Sequence, residues 1–241
     1  MKIKADHILF ETVPDLKFGI IHYNRINTSD APGMLKGRIG YFYQEMQIDL
    51  EDKNVTDIPG VAEWRKVWKA FGKDPGRYRP SAEALIRRVK KGQVPGEINL
   101  GVDLNNFFSV REGIPCGLYD AASVSGDITF RPGTGADVYE GLNGRDNSLD
   151  NILVTADAQG AFGSPFVDSK RTAVTETTAE AIHVLYLRPS MSAEQAGILL
   201  EETGTLFTSM TGGEYTPALL HKGNTEAVFK RGNPDGQDQP R

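Results

Sequence analysis

The sequence predicts a mixed fold in which amphipathic helices precede an antiparallel sheet with tight loops. Apolar residues recur at three- and four-residue spacing between residues 57 and 91, as expected of helices that bury one face. After Asp120, short β-rich segments alternate with glycine-containing turns. That spacing is typical of antiparallel hairpins and not of repeated βαβ units.

The composition is that of an ordinary globular protein, with 39% hydrophobic and 24% charged residues among 241. No apolar run approaches the roughly 20 residues that span a bilayer, and no signal peptide is recognisable at the N-terminus. The single cysteine, Cys116, excludes an internal disulfide framework, and four scattered histidines do not suggest a zinc site. We therefore expect a cytoplasmic protein with no metal or other cofactor and no membrane partner.

The charge is unevenly distributed along the chain. The net charge is −5, which argues against generic binding of DNA or another polyanion by the whole surface. Residues 64–91, which we call the basic zone, nevertheless carry a local balance of +8. Such a zone can steer a phosphate backbone to one face, although solvated helix faces give the same pattern. The candidate tRNA-binding residues in it are Arg77, Arg79, Arg87 and Arg88.

The first hundred residues predict strands followed by helices. Residues 1–26 favour short strands, and residues 34–52 favour a helix. A second helix is expected to start at Pro59 and to end at Gly72. Ser81 is a natural N-cap for a third helix, which ends before Gly92.

The stretch from Ile98 to Asp120 is apolar enough for the core, yet it contains Asn99, Asp103, Asn105 and Asn106. Buried amides and carboxylates are costly without partners, so the cluster indicates a satisfied polar network or the floor of a pocket.

The second half predicts strands, one long helix and a disordered tail. Strands are expected near residues 128–131, 137–140, 152–155, 181–187 and 227–229, with His183 interrupting the fourth. Ser192 and Gln195 fit a capping box that starts a helix reaching toward Met210. We expect residues 232–241 to be disordered.

Nucleotide-binding, hydrolase-elbow and zinc-protease motifs are absent from the sequence. Asp168 or His183 would serve as a base if they reached one cavity, and Arg171 would pair with a phosphate or carboxylate. The alternatives are an Asx or hydroxyl-capped turn at Asp168 and Ser169, a surface ion pair for Arg171 and a core position for His183. The other local candidates are Asn106 and Thr172.

Residues in a fixed order carry a family resemblance. The pattern comprises Asn99, Val102-Asp103, Asn105-Asn106-Phe107, Gly113, Pro115, Gly117 and Tyr119-Asp120. It resembles the B3/B4 domain of the bacterial phenylalanyl-tRNA synthetase β subunit, with Gly126-Asp127-Ile128 and Leu142-Asn143-Gly144 continuing the match. Residues 77–89 and 168–172 are closer to free-standing B3/4 domain proteins.

The resemblance implies an α+β fold, a β-sandwich of unusual topology layered with helices. It also implies a single domain over residues 1–231, with an N-terminal elaboration at 1–74 and a family core at 75–210. In the synthetase this domain hydrolyses tyrosine that is wrongly esterified to the phenylalanine tRNA. We therefore expect a hydrolase that deacylates mischarged aminoacyl-tRNA in trans, and no aminoacyl-tRNA ligase activity from this chain by itself.

The pocket departs from the family pattern. The family asparagine falls on Asn106, its neighbouring threonine on Asn105 and its histidine on Gly117. The resulting expectation is a catalytic set of Asn106, Asp168 and His183. The expected substrate-binding set is Asn105, Gly117, Ser169, Arg171 and Thr172. Two alternatives remain open: a non-catalytic module that binds an amino acid or metabolite, and a hydrolase or transferase of another small substrate that uses Asp168, Ser169 and His183.

Overall fold

The computed structural model describes residues 1–29, 31–95 and 97–230, so the tail predicted at 232–241 lies outside the described residues. The α-helices are α1 (His7–Thr12), α2 (Gly33–Asp49), α3 (Pro59–Ala70), α4 (Ser81–Lys90), α5 (Leu100–Glu112) and α6 (Ala193–Thr211). The first six strands are β1 (Lys2–Ala5), β2 (Phe18–Asn24), β3 (Cys116–Asp120), β4 (Ile128–Pro132), β5 (Val138–Glu140) and β6 (Asp146–Ser148). The remaining strands are β7 (Leu153–Asp157), β8 (Gly160–Gly163), β9 (Glu180–Tyr186), β10 (Glu214–Leu220) and β11 (Glu226–Val228).

The strands form two main sheets and a small hairpin. The first sheet has the order β11-β1-β4-β7-β8, and the second has the order β10-β2-β9-β3. The second sheet is antiparallel throughout, whereas β1 and β4 pair in parallel within the first. Strands β5 and β6 pair only with each other among the described residues.

The two sheets pack face to face, and helices cover the outer face of the second sheet. Phe18 of β2 stacks on Phe130 of β4 with ring centroids 4.3 Å apart, which places aromatic rings between the sheets. On the opposite face of the second sheet, Phe108 of α5 and Phe207 of α6 contact His183 of β9. The predicted α+β sandwich layered with helices is therefore confirmed.

Local signals decide where the helices begin and end. Asn99 caps α5, because its side chain accepts a hydrogen bond of 2.9 Å from the Val102 amide, and Gly113 ends that helix in the left-handed region at φ 67°. The capping box predicted at Ser192 and Gln195 is present. The N-cap predicted at Ser81 is wrong: Ser81 is the first helical residue, and Pro80, with its fixed φ, occupies the cap position.

Three further elements differ from the sequence prediction. Residues 7–12 form a short helix between strands β1 and β2, where only strands were predicted. His183 does not interrupt β9, which pairs without a break on both sides. Strand β10 was not predicted, although its seven residues pair with the whole of β2. In the part of the chain that the structure describes, no helix has the length and apolarity to cross a bilayer.

Candidate functional site

The candidate site lies where the edge strands of the two sheets meet. Strand β3 ends one sheet and β8 ends the other, and Tyr119 of β3 packs edge-on against Phe162 of β8 with ring centroids 4.9 Å apart. The chain then returns from β8 to the edge of β3, where Ala173 bridges Tyr119. We call residues 164–172, which form this return, the Asp168 loop.

Asp168 is the ionisable group at the centre of this loop. Its Oδ1 accepts hydrogen bonds from the Tyr119 hydroxyl at 2.8 Å and from the Ser164 amide at 3.2 Å. Burial raises the pKa of Asp168 to about 7, although these two hydrogen bonds act to lower it. The residue as a whole is partly exposed, and Oδ2 accepts no hydrogen bond from the described residues. One oxygen of the carboxyl group therefore has no hydrogen bond from the described part of the chain, and the pKa of the group lies near neutral pH.

Buried hydroxyl groups extend the network behind Asp168. The Tyr119 and Tyr186 hydroxyls lie 3.5 Å apart, and the Tyr186 hydroxyl lies 2.8 Å from Thr155 Oγ1. Burial and the nearby Asp168 charge raise the pKa of Tyr119, so its hydroxyl stays protonated and donates. The loop itself is fixed by Tyr139, whose hydroxyl donates to the Val167 carbonyl. The carboxyl group is thus held by neutral donors, and no cation among the described residues pairs with it.

Two glycines make room for the Tyr119 side chain. Gly117 and Tyr119 face the same side of β3, because alternate residues of a strand share a face. A Cβ atom at position 117 would lie 2.1 Å from the Tyr119 hydroxyl, and one at Gly163 would lie 2.2 Å from it. Both distances are far below van der Waals contact. Gly117 therefore borders the site through its backbone, and Tyr119 fills the volume in front of it.

Part of the basic zone lies directly beside the Asp168 loop. The Ser81 amide, at the start of α4, donates to the Pro165 carbonyl at 2.8 Å. The Tyr78 ring packs edge-on against Phe166 with centroids 5.7 Å apart. Arg77 sits over the same tyrosine ring, 5.5 Å from its centroid. The segment that precedes α4 thus brings positive charge to the loop that carries Asp168.

A family model described as the B3/4 domain matches residues 63–198, which is more than half of the chain. The chain belongs to the B3/4 domain family. Uncharacterized protein YhzB of Bacillus subtilis is 25% identical over 217 residues, covering 90% of this chain and 98% of that protein. The alignment therefore covers almost the whole of both chains.

The other relatives are much longer proteins. The phenylalanine–tRNA ligase β subunit of Nitrobacter winogradskyi is 31% identical over 121 residues, which are 49% of this chain and 15% of that subunit. The corresponding subunit of Paramagnetospirillum magneticum is 26% identical over 191 residues, 73% of this chain and 21% of its own length. An N-terminal fragment of the Pyrococcus horikoshii phenylalanyl-tRNA synthetase β subunit aligns structurally with TM-score 0.43 and 13% identity, covering 88% of this chain and 49% of the fragment.

In this B3/4 protein, Asn106 lies away from Asp168, in a small cavity between α2 and α5. The cavity has a volume of about 70 Å³, and its polar lining comes from Lys36, Tyr43, Glu97, Asp103 and Asn106. Lys36 Nζ and Glu97 Oε2 form an ion pair of 3.1 Å. The Tyr43 hydroxyl is buried and finds no hydrogen-bond partner among the described residues. The neighbouring Asn105 leaves a buried Oδ1 without such a partner, and its side chain does not line the cavity.

His183 lies on the other face of the second sheet from Tyr119 and Asp168. It pairs with Leu118, whereas Tyr119 pairs with Ile182, so the two side chains point in opposite directions. Its Nδ1 lies 3.3 Å from the Tyr23 hydroxyl, and its ring packs among aromatic residues of the helical layer. Burial lowers the pKa of His183 to about 3, so the ring is neutral at physiological pH. The structure does not bring His183, Asp168 and Asn106 together.

The remaining residues of the predicted substrate-binding set support the Asp168 loop. Arg171 makes a bidentate ion pair with Asp157, with both N–O distances at 2.9 Å, and the Asp157 side chain is fully buried. Ser169 and Thr172 are buried, and their hydroxyls have no partner among the described residues. Asp168 accepts from Tyr119 and Ser164 and so does not form the simple Asx turn that the sequence left open. The ion pair between Arg171 and Asp157 therefore anchors the Asp168 loop.

Several residues of the site carried no signal strong enough for sequence analysis. Tyr119, Tyr139 and Tyr186 come from three different strands. Only folding brings the Tyr119 and Tyr186 hydroxyls to 3.5 Å from each other and the Tyr139 hydroxyl onto the Val167 carbonyl of the Asp168 loop. The alternation of Gly117 and Tyr119 on one strand was the one local indication available, because it places a small and a large side chain on the same face.

Proposed function

We propose that this chain hydrolyses the ester bond of mischarged aminoacyl-tRNA, with Asp168 as the general base. One observation carries the proposal: the Asp168 carboxyl group, whose pKa burial raises to about 7, lies where the two sheets meet, beside a basic segment. A base acts best when its pKa lies near the working pH. The names of the synthetase relatives add support for tRNA as the partner.

The reaction would begin with a water molecule next to Asp168 Oδ2. The water oxygen forms a bond to the ester carbonyl carbon while its proton passes to the carboxylate. The bond between that carbon and the ribose oxygen then breaks, and Asp168 returns the proton to the leaving oxygen. The products are the free amino acid and the uncharged tRNA, so atoms and charge balance. Tyr119 would keep Oδ1 engaged and so direct the transfer to Oδ2.

The deciding experiment is deacylation of a panel of mischarged tRNAs by the purified protein. Asp168→Asn should lower the rate by at least about a hundredfold, because it removes the base and keeps the shape of the side chain. Asp150→Asn, an exposed aspartate in the loop before β7, is the matched control. No turnover on any charged tRNA would overturn the proposal. A loss of turnover in Asn106→Ala together with normal turnover in Asp168→Asn would move the reaction to the cavity between α2 and α5.

A second candidate function is binding without catalysis in the cavity between α2 and α5. The unpartnered Tyr43 hydroxyl favours it, together with charges of both signs in the lining. A volume of about 70 Å³ corresponds to roughly two water molecules. The ligand would therefore be no larger than glycine. Calorimetric titration with glycine should give heat that disappears in Asn106→Ala and persists in Asp168→Asn. A flat titration of the native protein would exclude this candidate.

A further inference from the structure

We infer that Arg65, Arg79 and Arg87, gathered around the buried Glu83, bind phosphate groups near the 3′ end of the RNA. This inference rests on the proposed function, because it assigns a contact surface to the same substrate. Arg65 was not among the residues that the sequence suggested for tRNA, whereas Arg79 and Arg87 were.

Glu83 holds the three guanidinium groups in place. Its side chain is fully buried, and its oxygens accept hydrogen bonds from Arg65 Nη1 at 2.9 and 3.1 Å. Arg87 donates to Glu83 Oε1 from Nε at 2.9 Å, and Arg79 Nε lies 3.6 Å from the same oxygen. One residue on α3, one before α4 and two on α4 therefore converge on a single point. We call them the Glu83 cluster.

The Glu83 cluster carries a net positive charge. Three guanidinium groups face one carboxylate, which leaves two positive charges on a surface where Arg79 and Arg87 are 43% and 41% exposed. Each guanidinium has five N–H donors, and Glu83 uses few of them. Ordered guanidinium groups with free donors suit bidentate contacts to phosphate oxygens and lose little side-chain entropy on binding.

The Glu83 cluster is joined to the candidate catalytic site by short contacts. Glu83 lies two residues after Ser81, whose amide donates to Pro165 of the Asp168 loop. Tyr78, next to Arg79 in the chain, packs against Phe166 of the same loop. An ester positioned at Asp168 would therefore place the adjoining phosphodiester groups toward the cluster. An open surface of this kind fits a chain of phosphates better than an enclosed metabolite.

The test measures RNA binding, so it does not depend on turnover. A fluorescent, uncharged RNA stem with a CCA 3′ end is titrated with the full-length protein, and its anisotropy is followed. Arg79→Ala should weaken binding by about tenfold and reduce the salt dependence by about one phosphate contact. Lys91→Ala removes an exposed charge just after α4 and serves as the control, with less than a twofold effect expected. Arg87→Ala is the second variant, should Arg79→Ala fail to fold.

An uncharged linkage in place of a phosphodiester distinguishes a contact between Arg79 and a phosphate from general charge attraction. Methylphosphonate at the last two linkages should weaken binding to the native protein and have little further effect on Arg79→Ala. Equal losses in Arg79→Ala and Lys91→Ala would overturn the inference, as would additive effects of the linkage and Arg79→Ala. Inorganic phosphate displacing the RNA, with no effect of the neutral linkage, would assign the cluster to free phosphate instead. Binding as expected without ester hydrolysis would overturn the proposed reaction and leave this site standing.

Discussion

The Tyr119 hydroxyl donates a 2.8 Å hydrogen bond to Asp168 Oδ1 and also fills the space in front of Gly117. The hydrogen bond to Asp168 and the packing of Tyr119 against Gly117 depend on each other. A side chain at position 117 would displace the tyrosine, and without the tyrosine the carboxyl group would lose its shortest donor. The position where the family resemblance places a histidine is thus linked, through Tyr119, to Asp168.

The substitution Tyr119→Phe tests this link. Removing the hydroxyl takes away a hydrogen bond that lowers the pKa of Asp168, so we expect that pKa to rise above about 7. A hydrogen bond to a charged group contributes about 1.5–3 kcal/mol, which corresponds to roughly one to two pH units. The acidic limb of the deacylation pH profile should move to higher pH by that amount. An unchanged limb would show that Asp168 is not the group that titrates.

Gly117→Ala should destabilise the fold by about 1–3 kcal/mol, because the added methyl group overlaps the Tyr119 side chain. Urea unfolding at neutral pH measures the effect. Gly197→Ala, on α6, is the control: nothing lies near its added carbon, and the free energy of unfolding should rise by up to about 1 kcal/mol. Equal stability of Gly117→Ala and the native protein would mean that Tyr119 moves aside freely.

Arg171→Ala should lower the free energy of unfolding by about 3 kcal/mol, since it leaves the buried Asp157 carboxylate without its cationic partner. Lys170→Ala breaks an exposed ion pair with Glu140 and should cost less than about 1 kcal/mol. Urea unfolding of both variants gives the comparison between adjacent residues. Similar losses in the two would contradict a structural role for Arg171.

The loss in Arg171→Ala should depend on pH. Burial acts to raise the pKa of Asp157, but hydrogen bonds from Arg171 and from the Ser125 and Gln159 amides hold it below its usual value. A lowered pKa stabilises the fold above the unfolded value of about 3.9, and this stability is lost as the pH falls through the folded value. The difference between native protein and variant should therefore shrink in acid. A constant difference down to pH 2 would contradict this explanation.

Tyr43→Phe should stabilise the ligand-free protein by about 1 kcal/mol, because it removes a buried hydroxyl that has no partner among the described residues. Tyr215→Phe is the opposite control, since the Tyr215 hydroxyl bonds to Thr205 and Glu201 and its removal should destabilise. Thermal unfolding of both variants measures whether each substitution raises or lowers the stability of the fold. Destabilisation by Tyr43→Phe would indicate that a bound water or ligand satisfies the hydroxyl.

The sequence could predict those parts of the fold that depend on neighbouring residues. The capping box at Ser192 and the glycine-punctuated strands after Asp120 are local signals, and each led to the element found in the structure. The order of residues from Asn99 to Asp120 indicated the family from the sequence alone. The N-cap prediction at Ser81 was wrong by one residue, because the first hydrogen bond of α4 runs from the Ala84 amide to the Pro80 carbonyl.

The tertiary structure alone decided the partners of the charged and polar side chains. Asp168 is hydrogen-bonded to a tyrosine 49 positions away, and Glu83 is hydrogen-bonded to Arg65, 18 positions away. Local periodicity carries no information over such separations. His183 and Asp168 are separated because consecutive residues of a strand point to opposite faces, and strand pairing sets which face each residue takes. The sequence by itself determined the family and most of the elements, because these follow from short-range patterns, whereas α1 and β10 were not predicted. The chemistry of the site was decided by which elements the fold brings together.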